Sequence, residues 1–152
     1  MNALFRRVKM RRLVALLVAA GAAASTHADD SIFTSRSSIR DAGGADIYGH
    51  ICQGCHMSQG QGAVGAGHYP KLAGNPALVS WQYVALTVLA GKHGMPAFGA
   101  PADQFVFGAV HLSDAQVAEV VNYVRSNFGN KWQGRATADQ VAALPHPGNA
   151  AD

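Results

Sequence analysis

Five consecutive residues carry the most specific chemistry in this chain: Cys52-Gln53-Gly54-Cys55-His56, which contain its only two cysteines. The C-x-x-C-H spacing puts two thiols one helical turn apart, where both can add to the vinyl groups of a single haem. It also sets an imidazole beside them to reach the iron. Two other chemistries use similar residues. A thiol-redox C-x-x-C expects a thioredoxin-like βαβ setting, which the surrounding pattern does not offer, and a zinc site needs two further ligands at suitable spacing. The motif therefore points to covalently attached haem c, with Cys52 and Cys55 as attachment points and His56 as an axial ligand.

The sixth ligand follows by elimination. Of four methionines, Met1 and Met10 lie in the N-terminal segment and Met57 adjoins His56, so it cannot reach the opposite face of the iron. Met95 remains, in Gly91-Lys92-His93-Gly94-Met95-Pro96, where glycine permits close backbone approach and proline stiffens the loop. A His/Met pair raises the haem potential into the range useful for electron transfer. His93 is the main competitor for this position, and His50, His68, His111 and His146 are more distant ones. Bis-histidine ligation would lower the potential.

These residues need helices and loops to position them. A short helix is expected over 45–52. The glycine-dense run 60–67 reads as a loop, because each glycine costs backbone entropy in regular structure. Asn75-Pro76 forms an N-cap and first-turn proline for one central helix over 77–90, stopped by Gly91. Residues 94–108 form an irregular connection. The strongest helix follows: Ser113 and Gln116 make a capping box, and Val117, Val120, Val121 and Val124 repeat at i, i+3, i+4, i+7 up to Gly129. Residues 131–152 read as a tail laid over the surface. With no sustained alternating pattern, the chain is expected to be all-α with long loops, and a cofactor fills much of its middle.

Length and composition agree with one small domain: 152 residues, 49% hydrophobic and 14% charged, which excludes a disordered charged tail protein. The net charge of +3 and the pI of about 9.1 suggest an anionic partner at first sight. Five of the 12 basic residues, however, are Arg6, Arg7, Lys9, Arg11 and Arg12, directly before the uncharged run 13–24. That layout is a secretory signal, too short in its apolar part to span a bilayer comfortably. Cleavage is expected after Ala28, with 22–24 as an earlier alternative and retention as an uncleaved anchor as another. The seven basic and nine acidic residues left give the mature chain a formal charge of −2, so no nucleic-acid partner is indicated. The expected organisation is a signal peptide over 1–28, an arm over 29–43, a domain over 44–130 and the tail.

Taken together, the haem motif, the glycine-rich loop, Tyr69-Pro70-Lys71-Leu72-Ala73-Gly74-Asn75, Met95-Pro96-Ala97-Phe98-Gly99 and the helix opened by Leu112-Ser113-Asp114 resemble the mono-haem class I cytochrome c domain. Order and spacing look especially like the cytochrome c subunits of bacterial periplasmic dehydrogenases of alcohols, sugar acids and aldehydes. The resemblance implies about three to five short helices wrapped around one haem c, with His56 as proximal ligand and the Pro70 carbonyl accepting from its outer ring nitrogen. It also implies a crossing of the first and last helices at Tyr48 and Tyr123, with Gly43, Gly44 or Gly49 allowing close approach. Trp81 would pack in the core or cover a haem edge. Where many members of the family have glycine after the histidine, this chain has Met57.

The resulting expectation is a non-enzymatic periplasmic electron carrier, with no permanent membrane span in the mature chain. It would take electrons from a dehydrogenase, transiently or as its permanent subunit, and pass them to a cytochrome or terminal oxidase. Lys71 and Lys92 could form a small basic docking rim, and Phe98, Phe105 and Phe107 a haem-pocket wall or docking surface. The alternative is a haem protein with a labile sixth ligand, acting as a gas sensor or redox enzyme.

Overall fold

The computed structural model describes residues 41–65, 67–101 and 110–148, all within one compact unit, Ser35–Asp152. The expected signal segment, all but the last three residues of the arm, and Phe105 and Phe107 lie outside the described residues.

The first helical run is longer than the sequence suggests and is not uniform. Helix α1 (Gly44–Ile47) passes into a π-helical turn, Tyr48–Cys52, and then into α2 (Gln53–His56). Such π turns add one residue to the turn and recur at functional sites. Here it separates the segment that crosses the last helix from the segment that bears the C-x-x-C-H residues. A two-stranded antiparallel ribbon follows, β1 (Ala63–Val64) with β2 (His68–Tyr69), pairing Ala63 with Tyr69 and Val64 with His68. Two residues per strand are too few to leave an alternating pattern in a glycine-rich loop.

The expected single helix over 77–90 is instead two elements. A 3-10 turn, Pro76–Val79, ends at Ser80, which is extended (φ −90°, ψ 112°); Ser80 Oγ accepts from the Tyr83 amide and caps α3 (Trp81–Ala90). Serine competes with the helical backbone for such bonds, so it starts a helix here rather than continuing one. Helix α4 (Asp114–Ser126) has both halves of its capping box, Ser113 and Gln116, and buries Val117, Val120, Val121 and Val124, as its periodicity requires.

Helices α1 and α4 cross with almost no space between them. A Cβ on Gly44 would stand 2.2 Å from the Glu119 carbonyl oxygen and 2.8 Å from Tyr123 Cβ, whereas Gly49 has open space and Gly43 only an ordinary contact. Gly44 is thus the residue that permits the crossing. Tyr48, Tyr123 and Phe128 fill the space beside it, with ring centroids 4.7 to 5.6 Å apart.

The C-terminal segment is built into the core. It contains α5 (Ala138–Ala142), capped by Thr137 and Gln140, and its Ala136 and Val141 are buried. Buried Asn122 of α4 holds both backbone groups of Ala136: Nδ2 donates to the carbonyl at 2.9 Å and Oδ1 accepts from the amide at 2.8 Å. The far end is fastened by His146, whose Nε2 lies 2.7 Å from Asp114 Oδ1 and whose Nδ1 lies 2.7 Å from the Leu144 carbonyl.

Both neighbours of the His146 ring accept hydrogen bonds, so the doubly protonated imidazolium fits best, and the bond to Asp114 raises the pKa of His146. Its contribution to stability is therefore complete below the unfolded histidine value of about 6.5 and is lost as pH rises through the higher folded value. The unfolding free energy of the wild-type holoprotein minus that of His146→Gln should be positive at pH 6 and shrink by up to ~1 kcal/mol on passing to alkaline pH. Denaturant titrations of both proteins across that range read the difference.

Candidate functional site

The site assembles around His56, which is buried at the C-terminal end of α2 with 9% of its surface exposed. Its Nδ1 lies 3.0 Å from the carbonyl oxygen of Pro70. A carbonyl can only accept, so Nδ1 carries the proton and Nε2 keeps its lone pair for a metal. Proline cannot supply an amide here, and its fixed φ stiffens the segment that presents this carbonyl. Gly62 packs against the same segment: with φ at 67°, a Cβ there would come within 2.4 Å of the Tyr69 carbonyl oxygen. The Gly62 amide also donates to the His56 carbonyl at 3.1 Å.

The two thiols are free; Cys55 is exposed and Cys52 half-buried. Burial, with Cys55 adding to it, pushes the Cys52 thiol up to about 12. A C-x-x-C pair that exchanges disulfides needs one thiol shifted the other way, to expose a thiolate nucleophile near neutrality. Among the described residues no group of three or more His, Cys, Asp or Glu is gathered as for a metal ion.

Met95 comes from a different part of the chain. Lys92 and Met95 pair across a two-residue hairpin, Met95 amide to Lys92 carbonyl at 2.9 Å and the reverse bond at 3.3 Å. Its two central residues, His93 (φ 48°) and Gly94 (φ 91°), are both left-handed, as a tight type I′ connection demands. The following residues are fastened to the end of α3 by the Phe98 amide on the Val88 carbonyl and the Gly99 amide on the Leu89 carbonyl, both at 3.0 Å. Met95 is half-buried and packs against the core, while His93 sits exposed at the hairpin tip. Lys92 Nζ lies 3.1 Å from Tyr83 Oη and 5.2 Å from its ring centroid. It is thereby drawn onto α3, which leaves exposed Lys71 as the freer half of the expected basic rim.

The remaining histidines are accounted for elsewhere. His111 Nδ1 lies 2.9 Å from the Ala100 carbonyl, His146 clasps Asp114, and His50 and His68 are exposed. Trp81 and Phe98 are half-buried against the hydrophobic core.

Residues that the sequence did not single out hold this arrangement together. Arg125, 2% exposed, donates from Nε to the Leu78 carbonyl at 2.8 Å and from Nη2 to those of Val79 and Gln133 at 3.1 and 2.6 Å, and from Nη1 to that of Gly134. Asn130, also buried, donates to the carbonyls of Leu72 and Val124 and accepts from the Gly74 amide. The end of α4 thus anchors the stretch that runs from just after Pro70 to the start of α3. Trp132 Nε1 is buried and has no hydrogen-bond partner among the described residues.

The sequence profile of the cytochrome c family matches residues 42–128, more than half of the chain and all of the elements from α1 to α4. The chain belongs to the cytochrome c family. Members of this family carry covalently bound haem c, typically one to the domain. It is 35% identical over 104 residues to the cytochrome c subunit of a quinone-type alcohol dehydrogenase from Gluconobacter oxydans, covering 66% of this chain and 21% of that subunit. It is also 35% identical over 126 residues to the cytochrome c subunit of gluconate 2-dehydrogenase from Pantoea cypripedii, covering 70% and 26%. Cytochrome c-552 from Thermus thermophilus is 31% identical over 116 residues, covering 70% of this chain and 76% of that protein. The chain therefore spans about a quarter or less of the dehydrogenase subunits but most of cytochrome c-552.

The residues present fit haem c. Two free thiols and a tautomer-fixed imidazole stand in one motif, and a half-buried thioether is carried on a separate, well-anchored hairpin. Among the described residues no helix is long and apolar enough to cross a membrane.

Proposed function

We propose that this cytochrome c shuttles single electrons in the periplasm, accepting them from a dehydrogenase and passing them to a respiratory cytochrome or oxidase. In this reading Cys52 and Cys55 hold the haem and His56 and Met95 are its axial ligands. The observation that carries it is the bond from His56 Nδ1 to Pro70, which commits one ring nitrogen to the protein and leaves the other for iron. The haem supplies the one-electron Fe(III)/Fe(II) couple.

The chain does the rest. Pro70 fixes the orientation and basicity of the imidazole; the Lys92–Met95 hairpin delivers a thioether; Arg125 and Asn130 hold the stretch that follows Pro70, and backbone bonds to Val88 and Leu89 hold the segment that follows Met95. With both axial positions filled by side chains, nothing is left for a substrate to occupy, which suits transfer of an electron and not bond chemistry. Periplasmic placement rests on the basic segment and apolar run at the N-terminus. A dehydrogenase as donor rests on the likeness to the alcohol and gluconate dehydrogenase subunits. Transient redox pairs use small interfaces, so a local patch around Lys71 suffices for docking.

Attachment is tested with alkaline pyridine haemochrome spectra after acid extraction. The wild-type protein should retain a c-type spectrum and the Cys52→Ala/Cys55→Ala double variant should lose its haem to the extract; extractable haem from the wild type would contradict the proposal. Reduction by a reduced quinone-type alcohol dehydrogenase should occur at a rate comparable to its turnover, and failure to do so would remove that donor.

A further inference from the structure

The residue that follows His56 is in a conformation that its type disfavours. Met57 has φ 65° and ψ 162°, a region populated almost entirely by glycine because a Cβ there crowds the backbone. His93 and Phe128 also have positive φ, but a two-residue hairpin accounts for His93, whereas Met57 ends a helix next to the proposed axial ligand.

Three hydrogen bonds hold Met57 where it is. Its amide donates to the Gln53 carbonyl at 2.9 Å, closing α2, and its carbonyl accepts from the Gly60 amide at 3.1 Å. The third is the shortest: Tyr48 Oη donates to the Met57 carbonyl at 2.6 Å. Tyr48 is itself immobile. It is 2% exposed, packed at a tilt against Phe128 and Tyr123, and sits at the start of the π turn one step past the Gly44 crossing. The crossing of the two helices is in this way connected through one hydroxyl to the peptide that leaves His56.

We infer that Tyr48 is a positioning residue for the axial histidine, its hydroxyl pinning the strained Met57 peptide and so fixing the backbone on the C-terminal side of His56. The inference rests on the proposed role of His56. His56 is then held at three points: its ring by Pro70, its carbonyl by the Gly62 amide, and the next peptide by Tyr48. The Pro70 tether does not require Met57 to keep its conformation; the other two do, because the Gly62 bond falls on the peptide that joins His56 to Met57 and the Tyr48 bond on the peptide after it. Removing the hydroxyl lets the Met57 peptide relax toward ordinary φ, and the peptide joining it to His56 turns with it.

Tyr48→Phe isolates this effect because the ring and its packing stay. The experiment compares wild type, Tyr48→Phe, Met57→Gly and the double variant as haem-loaded proteins, reading denaturant unfolding and the hyperfine-shifted proton spectrum of the ferric state. Tyr48→Phe should raise the unfolding equilibrium constant about 10-fold in the wild-type background, the scale of one lost hydrogen bond. In the Met57→Gly background the increase should be about 3-fold or less, since glycine holds the conformation without help.

The shifts of the haem methyls and of the axial imidazole should move in Tyr48→Phe and return toward the wild-type pattern in the double variant. Equal destabilisation in both backgrounds, with the pattern unmoved, would overturn the inference and leave Tyr48 as core packing. The wild-type spectrum separates this from failure of the underlying reading: absence of axial-imidazole resonances there would remove the role of His56 itself, and this inference with it.

Discussion

Arg125→Leu should destabilise the holoprotein by about 2–4 kcal/mol, a large part of the ~5–15 kcal/mol that holds a domain of this size. The guanidinium of Arg125 serves the carbonyls of Leu78, Val79, Gln133 and Gly134 from a site 2% exposed. Leucine fills much of the volume and removes a buried charge, which is favourable by itself. It also removes four hydrogen bonds, and the Leu78 carbonyl, on a residue 4% exposed, loses its bond to the guanidinium at a cost of ~1–3 kcal/mol.

The loss should exceed what one helix-terminal cation contributes to a dipole, ~0.3–1 kcal/mol, and that difference separates the two roles. Arg125→Lys should recover little, because an ammonium cannot reproduce a planar fork that reaches two segments of the chain at once. Guanidinium unfolding followed by far-UV circular dichroism measures both variants. A change below ~0.5 kcal/mol in Arg125→Leu would show that these bonds are readily replaced by water.

Met95→Ala has the second large effect, on the site more than on the fold. The thioether is half-buried and its hairpin is fastened by backbone bonds to Val88 and Leu89, so the loop should keep its course. What is lost is the proposed sixth ligand. The midpoint potential should fall on the order of 0.2 V, within the ~0.8 V that axial ligands command, and the ferrous variant should bind carbon monoxide readily. His93→Ala should leave the potential close to the wild-type value, because its ring sits exposed at the tip of the same hairpin. Redox potentiometry of the two variants decides between the thioether and the imidazole, and the reverse outcome would transfer the ligand role to His93.

How far the site could be read from sequence depends on whether its chemistry is local. Cys52, Cys55 and His56 stand out as a haem motif because their spacing is itself the attachment geometry, and Met95 stands out as the proposed ligand because so few methionines compete with it. The capping boxes and the valine repeat of α4 are equally local. Gly44 could be narrowed only to one of three glycines, since the deciding fact, a carbonyl of Glu119 where its Cβ would be, belongs to a helix some 75 residues away. Arg125 looks in sequence like an ordinary cation in a last helical turn; its partners Leu78 and Val79 lie 47 and 46 residues upstream. Nothing local announces them.

Helix propensity misled in two places for identifiable reasons. Ser80 divides the apolar stretch 77–90 because its hydroxyl finds the Tyr83 amide, a better bond for serine than a place inside a helix. In 131–148 the glycines and prolines suggest a loose tail, yet Thr137 and Gln140 cap a short helix whose Val141 is fully buried. A five-residue helix is too short to show periodicity and exists because α4 packs against it. The departure at Met57, visible in sequence as a missing glycine, acquires its meaning only with the Tyr48 hydroxyl beside it.

In the proposed carrier His56 and Met95 together hold the haem iron, so that the protein passes electrons and binds no substrate at iron. Exposure of the ferrous wild-type protein to carbon monoxide at neutral pH tests this most directly. The absorption spectrum should stay unchanged; prompt conversion to a carbon monoxide adduct would rule out His56/Met95 ligation and favour a haem with a labile sixth ligand.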